Sequence, residues 1–280
     1  MTTPELTVHK YHGLGNDFLI AVDPTGELPL DAVAARRLCD RRRGLGADGL
    51  VHSVPGAPSS FRLWNADGSE AEMSGNGLRC LAHALAEVGW APGWLAGGGS
   101  DAVEMSFTTP AGPRTVRLRP GPDPGQAWGS VDMGPVQVAV AGTACNVGDA
   151  RAEVDTGNPH LVVLGPDPAS VDVATLGAAL GGAVPGGRNV EFVALGPGPD
   201  ELTIRIWERG VGETAACGTG SCAAAAAVHR WGRVGTKVTV HQPGGAAEVA
   251  LGADGTAVLS GPSQRVATCL VPWPAPVGAP

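Results

Sequence analysis

Phe61-Arg-Leu-Trp-Asn65 and the turn Ser74-Gly-Asn-Gly77 return 143 residues later as Ile204-Arg-Ile-Trp-Glu208 and Cys217-Gly-Thr-Gly220. Glu70 and Glu213 keep the same offset between them, and Gly15-Asn16 and Gly157-Asn158 form a further pair 142 apart. A stretch used twice constrains the fold more tightly than composition can. It predicts two similar halves related by a pseudo-twofold axis, with a site built from both glycine-rich turns. Ser74 and Cys217 are then equivalent positions, and the chemistry turns on them.

The 280 residues suffice for two domains with cores of their own, and 43% hydrophobic with 16% charged residues is ordinary for a globular protein. Only 4% are aromatic, so the cores should be rich in Ala, Val and Leu, and the 43 Gly and 24 Pro punctuate many turns. A net charge of -8 gives no electrostatic reason to expect nucleic acid or an anionic membrane as partner. The one basic cluster, Arg36, Arg37, Arg41, Arg42 and Arg43, reads as a solvated helix end whose cations complement the dipole. Residues 1–20 have no signal-peptide pattern and the apolar run 223–228 is too short to span a bilayer, which together point to the cytoplasm. The cysteines at 39, 80, 145, 217, 222 and 269 form no CxxC pair, so neither a zinc site nor a disulfide framework is expected.

Hydrophobic periodicity predicts strands at 8–11, 17–22, 61–65, 102–108 and 114–119, and helices at 30–43 and 77–88. The second half repeats the order, with strands at 161–164, 191–193 and 202–208 and helices at 171–180 and 221–231. Strands at 237–242, 247–251 and 255–259 close it, ending at Gly261-Pro262. The turn-rich Pro120-Gly-Pro-Asp-Pro-Gly125 marks the boundary. The domains are thus 1–122, with a possible return strand at 263–273, and 123–262, followed by a tail at 274–280.

Each glycine turn lies between a strand and a helix, so the amides of Gly75-Asn76 and Gly218-Thr219 should be helix N-terminal donors to an anion. Two such ends on one carboxylate would stabilise the charge that develops when the neighbouring carbon loses a proton. Cys217 directly precedes one of them, a place where a thiol is expected to drop toward thiolate, which makes it the candidate base. His160 is placed to face and tune it. Asn65, Asn158 and Asn189, with Glu208 and Arg209, stand at strand or turn ends; amides suit a zwitterion and Arg209 can clamp a carboxylate. Gly44-Leu-Gly-Ala-Asp-Gly49 has dinucleotide-type spacing but follows an arginine run and opens no helix, and no P-loop is present.

His12-Gly-Leu-Gly-Asn-Asp-Phe18, Asn65-Ala-Asp-Gly-Ser-Glu70, Ser74-Gly-Asn-Gly-Leu-Arg-Cys80, Gly157-Asn-Pro-His160 and Glu208 through Gly220 resemble, in order, the signature blocks of the diaminopimelate epimerase family. The resemblance implies an α/β (α+β) fold of two pseudo-symmetric domains, each a barrel-like sheet around a central helix, in a cytoplasmic homodimer that acts on a small amino acid. It implies no cofactor and no metal. One thiol on each face of the substrate α-carbon would invert one centre of LL-diaminopimelate to the meso form, on the route to lysine and peptidoglycan. Cys217 matches one of those cysteines, and Ser74 stands where the family has the other. By the same resemblance Gly75, Asn76, Gly218 and Thr219 bind the reacting carboxylate, and Asn65, Asn189, Arg209 and the Glu208 backbone hold the distal end. Asn16 and Asn158 line the cleft, with His160 and Glu208 beside the catalytic groups.

A serine hydroxyl is a far weaker acid than a thiol and a poor base without an activating neighbour. Cys80, six residues along the helix from Ser74, should face elsewhere and does not replace it. Three readings of Ser74 follow: a serine native to a working epimerase, a Cys-to-Ser change against oxidation, or a changed reaction. In the last, one thiolate removes the α-proton and a β-hydroxyl leaves, as in a hydroxy amino acid dehydratase. Another amino-acid racemase and a non-catalytic amino-acid-binding protein are the further alternatives.

Overall fold

A computed structural model describes residues 5–91, 93–94, 102–139, 150–165 and 167–273. They fall into two compact units. The first takes described residues of 5–13, 17–129 and 262–273, and the second those of 14–16 and 130–261. The division thus falls inside the strand Gln126–Pro135, just past the turn-rich stretch. Cys145, the tail 274–280 and most of the loop 91–99 lie outside the described residues.

The two units repeat one topology. In the first, Asn16–Val22 runs parallel to Gly49–Ser53, which pairs antiparallel with Arg62–Asn65 and this in turn with Glu70–Ala71. In the second, Pro159–Leu164 runs parallel to Asn189–Leu195, followed antiparallel by Glu201–Glu208 and Gly212–Thr214. Parallel neighbours need a crossover, and a helix supplies it in each case: α1 (Ala32–Cys39) and its counterpart in the second unit, Val173–Gly181. A second crossover helix, α2 (Gly75–Glu87), links Ser59–Ser60 to the parallel strand Val103–Thr109. With Val173–Gly181 as α3, the equivalent α4 (Gly218–Arg230) links Glu201–Glu208 to Lys237–Gln242. The duplication extends to surface ion pairs: Arg62 Nε donates to Glu70 and Arg205 Nε to Glu213, both at 2.7 Å.

The crossover helices α2 and α4 are the centres of their units. Every α2 residue from Gly75 to Ala86 is buried, and so is every α4 residue from Gly218 to Val228. A helix buried on all faces needs strands on all sides. Those packed on α4 include Ala150–Asp155, Pro159–Leu164, Asn189–Leu195, Glu201–Glu208, Lys237–Gln242 and Gly245–Leu251. Five consecutive alanines, Ala223 to Ala227, keep that helix thin enough for the sheet to approach. Alternation along Asn189–Leu195 then sorts the residues: Val190 and Phe192 join Val173 and Leu161 in the outer core under α3, leaving Asn189, Glu191 and Val193 on the opposite face.

Several expectations are corrected. The first helix spans Ala32–Cys39 and not 30–43. Asp31 caps it by accepting from Val33 N and Ala34 N, a contact worth about 1 kcal/mol, and Asp40 ends it by accepting from the Arg42 and Arg43 amides. All five arginines of the cluster are exposed, but only Arg36 and Arg37 lie in the last turn of the helix; Arg41 lies beyond its end and donates to both Asp17 and Asp48 at 2.7 Å. The helices placed at 77–88 and 221–231 begin inside their glycine turns, at Gly75 and Gly218, because Ser74 and Cys217 cap them. The last strand does not stop at Gly261-Pro262 but runs from Thr256 to Pro272. Residues 257–260 pair with 248–251 and residues 264–272 with 5–12, so Pro262, which has no N–H to give, falls in neither register. No helix among the described residues is long and apolar enough to cross a membrane.

Candidate active site

Ser74 and Cys217 cap α2 and α4 in the same way. Their backbones are extended, at φ -147°, ψ 115° and φ -133°, ψ 123°. Ser74 Oγ accepts from Gly77 N at 3.0 Å, and Cys217 Sγ accepts from Gly220 N at 3.5 Å. The helical ladders begin with Leu78 N on Ser74 O and Ser221 N on Cys217 O. The amides of residues 75–76 and 218–219 precede that ladder, so helix geometry gives them no intrahelical acceptor. Asn76 and Thr219 are buried in these turns, with Asn76 Oδ1 accepting from Arg79 at 2.6 Å and Thr219 Oγ1 lying 3.3 Å from Cys217 Sγ. Gln242 Oε1 accepts the Cys217 amide at 2.8 Å, fixing the turn from a neighbouring strand.

The thiol is not lowered toward thiolate. Burial pushes the Cys217 thiol well above its usual range, and the carboxylates of Glu208 and Glu191 push in the same direction. The Thr219 hydroxyl and the Gly220 amide oppose them without reversing the sign. The helix N-terminus was a correct reading of place; what outweighs it is desolvation at 6% exposure, together with two like charges on neighbouring strands. Cys80 and Cys39 behave as buried apolar residues, each pushed up to about 12 chiefly by burial.

The second unit holds Cys217, His160, Glu208, Arg209, Asn16, Asn158 and Asn189, and of these Glu208 bears directly on the thiol, as does Glu191. The parallel register sets His160 beside Asn189. His160 Nδ1 lies 2.6 Å from Glu191 Oε1, and Nε2 lies 2.9 Å from Asn158 Oδ1, which also accepts from Thr156 Oγ1. Asn189 Nδ2 is 3.5 Å from the same Nε2, while Asn189 Oδ1 accepts the Arg209 amide at 2.8 Å. The Arg209 side chain is exposed and donates to Gly186 O at 3.1 Å. Glu208 Oε1 accepts from Thr214 Oγ1 at 2.5 Å. Asn16 belongs to this unit as well and is half-buried. Asn65 lies in the other unit, where its amide donates to Ser69 Oγ across a turn.

Glu191, Gln242, Thr214 and Thr156 were missed. For Glu191 a signal existed: a carboxylate at an inward position of the apolar strand Asn189-Val-Glu-Phe-Val193 is almost never buried without a partner. Gln242 gave none, because its partner is a backbone amide 25 residues away; Thr156 and Thr214 bond Asn158 and Glu208 only two and six residues away, but a threonine near a turn signals no particular partner. Among the described residues, no group of three or more His, Cys, Asp or Glu could hold a metal ion.

Comparison with known proteins identifies the family and the fold. The family described as diaminopimelate epimerase matches residues 8–139 and 153–266. The chain is 37% identical to the diaminopimelate epimerase of Synechococcus elongatus over 92% of its own length and 95% of that protein's. To the diaminopimelate epimerase of Moorella thermoacetica it is 39% identical, over 92% and 96% of the two chains. Among solved structures, a hydroxyproline epimerase from Agrobacterium vitis superposes with a TM-score of 0.70 at 18% identity, covering 97% of this chain and 92% of that one. A predicted epimerase from Pseudomonas aeruginosa gives 0.69 at 17% identity, covering 95% and 99%. At such identities the structural likeness speaks to the fold alone.

Proposed function

The chain belongs to the diaminopimelate epimerase family, and we propose that it interconverts LL- and meso-2,6-diaminopimelate by removing and returning the α-proton without a cofactor. The observation that carries the mechanism is the matched pair of caps: one helix N-terminus bears a thiol, and its duplicate bears a hydroxyl in the same hydrogen bond. The amides of Gly75, Asn76, Gly218 and Thr219 hold the reacting carboxylate and stabilise the carbanionic transition state. Asn65, Asn189, Arg209 and the Glu208 backbone hold the distal amino-acid end, and Asn16 and Asn158 line the cleft. Cys217 acts on one face as the thiolate left once its own proton has gone to solvent, taking the α-proton to become the thiol, with Glu208 and His160 beside it; Ser74 returns a proton to the other face from its hydroxyl. Work as a homodimer in the cytoplasm completes this reading, and it is the family resemblance that supports it.

Ser74 also favours a second reading, a dehydratase in which Cys217 removes the α-proton and a β-hydroxyl departs. Incubation in deuterated water separates the two. An epimerase incorporates deuterium at the α-carbon of LL- or meso-diaminopimelate and inverts it, and Cys217→Ala abolishes both. A dehydratase instead yields a keto acid from a β-hydroxy amino acid. Exchange that persists undiminished in Cys217→Ala removes Cys217 as the base.

A further inference from the structure

The duplication supplies an internal control for the residues around Cys217. The parallel strand pair of the second unit matches that of the first: His160 lies opposite Asn189 and Val162 opposite Glu191, as Phe18 lies opposite Gly49 and Ile20 opposite Val51. His160 therefore corresponds to Phe18, and Glu191 to Val51. Phe18 and Val51 are buried apolar residues, so this fold closes around its central helix without any ionisable pair there. Beside the serine cap the positions are apolar; beside the thiol cap they are His160 and Glu191, whose side chains are both fully buried. An isolated buried carboxylate is costly, and a pair retained at such a place calls for a local reason.

The contacts specify what the pair does. Asn158 Oδ1 lies 2.9 Å from Nε2 and Glu191 Oε1 2.6 Å from Nδ1, so the shorter contact of each ring nitrogen is to oxygen, with Asn189 Nδ2 farther from Nε2 at 3.5 Å. Each contact needs a proton: one on Nε2, and one held between Nδ1 and the carboxylate. Glu191 also abuts the turn itself. A Cβ on Gly220 would lie 2.8 Å from Glu191 Oε1, and Gly220 N is the donor on Cys217 Sγ. Glu191 Oε2 is buried with no hydrogen-bond partner among the described residues, so the carboxylate spends its contacts on His160 and the α4 turn.

We propose that Glu191 is a positioning residue of the Cys217 half, fixing the His160 imidazole through Nδ1 so that Nε2 is held as a proton donor beside Asn158, and setting the field at the cap of α4. His160 is then a donor in the resting protein and not the base that deprotonates Cys217. The charged groups facing Cys217 within this unit are Glu191 on Asn189–Leu195 and Glu208 on Glu201–Glu208, with His160 on Pro159–Leu164 against Glu191. The consequence for turnover rests on the epimerase reading, while the consequences for the ring and the thiol do not.

The test uses the full chain, Glu191→Gln, and the double variant His160→Phe/Glu191→Val, which copies the first unit. Three readouts are taken: nitrogen NMR of labelled histidine rings, the pH dependence of Cys217 alkylation by iodoacetamide followed by mass spectrometry, and kcat and KM for diaminopimelate. Glu191→Gln should change the His160 ring signals and move alkylation to lower pH by about one unit, because one of two like charges is gone. It should also lower kcat by about tenfold or more, with a smaller change in KM, since misplacing one supporting group can cost on the order of 10²-fold. If Glu191→Gln does not fold, the double variant carries the test; it should shift alkylation the same way and lose kcat. Unmoved ring signals and alkylation overturn the proposal even where kcat falls, and so does a double variant with unchanged kcat. If the parent chain turns over no diaminopimelate while Glu191→Gln still shifts both ring and alkylation, the functional reading fails and the role of Glu191 stands.

Discussion

At Ser74 a hydroxyl makes the hydrogen bond that a thiol makes at Cys217, with nearly the same backbone angles and the equivalent glycine, Gly77 or Gly220, as donor. The difference between the halves is therefore chemical and not geometric, which makes one substitution decisive. Ser74→Cys puts an ionisable group at the second cap and should raise the rate of diaminopimelate epimerisation by about 10²–10⁴-fold, the usual worth of a positioned acid or base. Steady-state inversion followed by circular dichroism checks it; an unchanged rate means that Ser74 is no partner of Cys217 in the reaction. The identity of the candidate base was legible in the sequence because repetition marked its place. Its protonation state was not, because burial and then the Glu208 and Glu191 carboxylates reach Cys217 only through the folded sheet.

At the scale of the element, the helices show where local rules govern and where packing overrides them. Glycine inside a helix normally costs about 1 kcal/mol relative to alanine, so Gly177 in α3 looks like a position to improve. Tertiary structure reverses the sign. A Cβ there would come within 2.4 Å of Trp207 Cβ and 2.7 Å of its Cγ, and the indole is part of the packing that seats α3 on the sheet. Gly177→Ala should destabilise the protein by about 1–3 kcal/mol through overpacking, read as a lower urea midpoint with an unchanged slope. A raised midpoint would show that α3 shifts freely on Trp207. Helix starts were misread for a related reason. The glycines of the two turns signal a break, yet the side chains of Ser74 and Cys217 satisfy the third amide and draw those glycines into the first helical turn.

For the whole molecule, the first unit is discontinuous in sequence, since it needs residues 262–273 to complete it. Leu6 and Val8 from the first strand share a core cluster with Trp273, with Cys269 and Val271 packed against it, and Arg37 lies over the Trp273 ring at 5.5 Å. A chain that stops at residue 261 lacks the partner strand of 5–12 and the buried indole, whose loss alone is worth about 3–5 kcal/mol. That truncation should lose hydrogen-exchange protection in residues 5–13 while residues 159–164 keep theirs. Equal protection of residues 5–13 in both chains would mean that the first unit folds without its return strand.

The sequence by itself determined the duplication, the matched turns, the place of most of the strands and the family, because these depend on local pattern and on repetition along the chain. Tertiary structure alone decided three things. It joined 256–272 into one strand through Pro262, since pairing partners and not composition decide where a strand ends. It set Glu191 against His160 from residues 31 apart, because a parallel register is fixed by the crossover and the core. It also raised the Cys217 thiol where a helix end alone would lower it, because desolvation and nearby charge are properties of the surroundings and not of the residue.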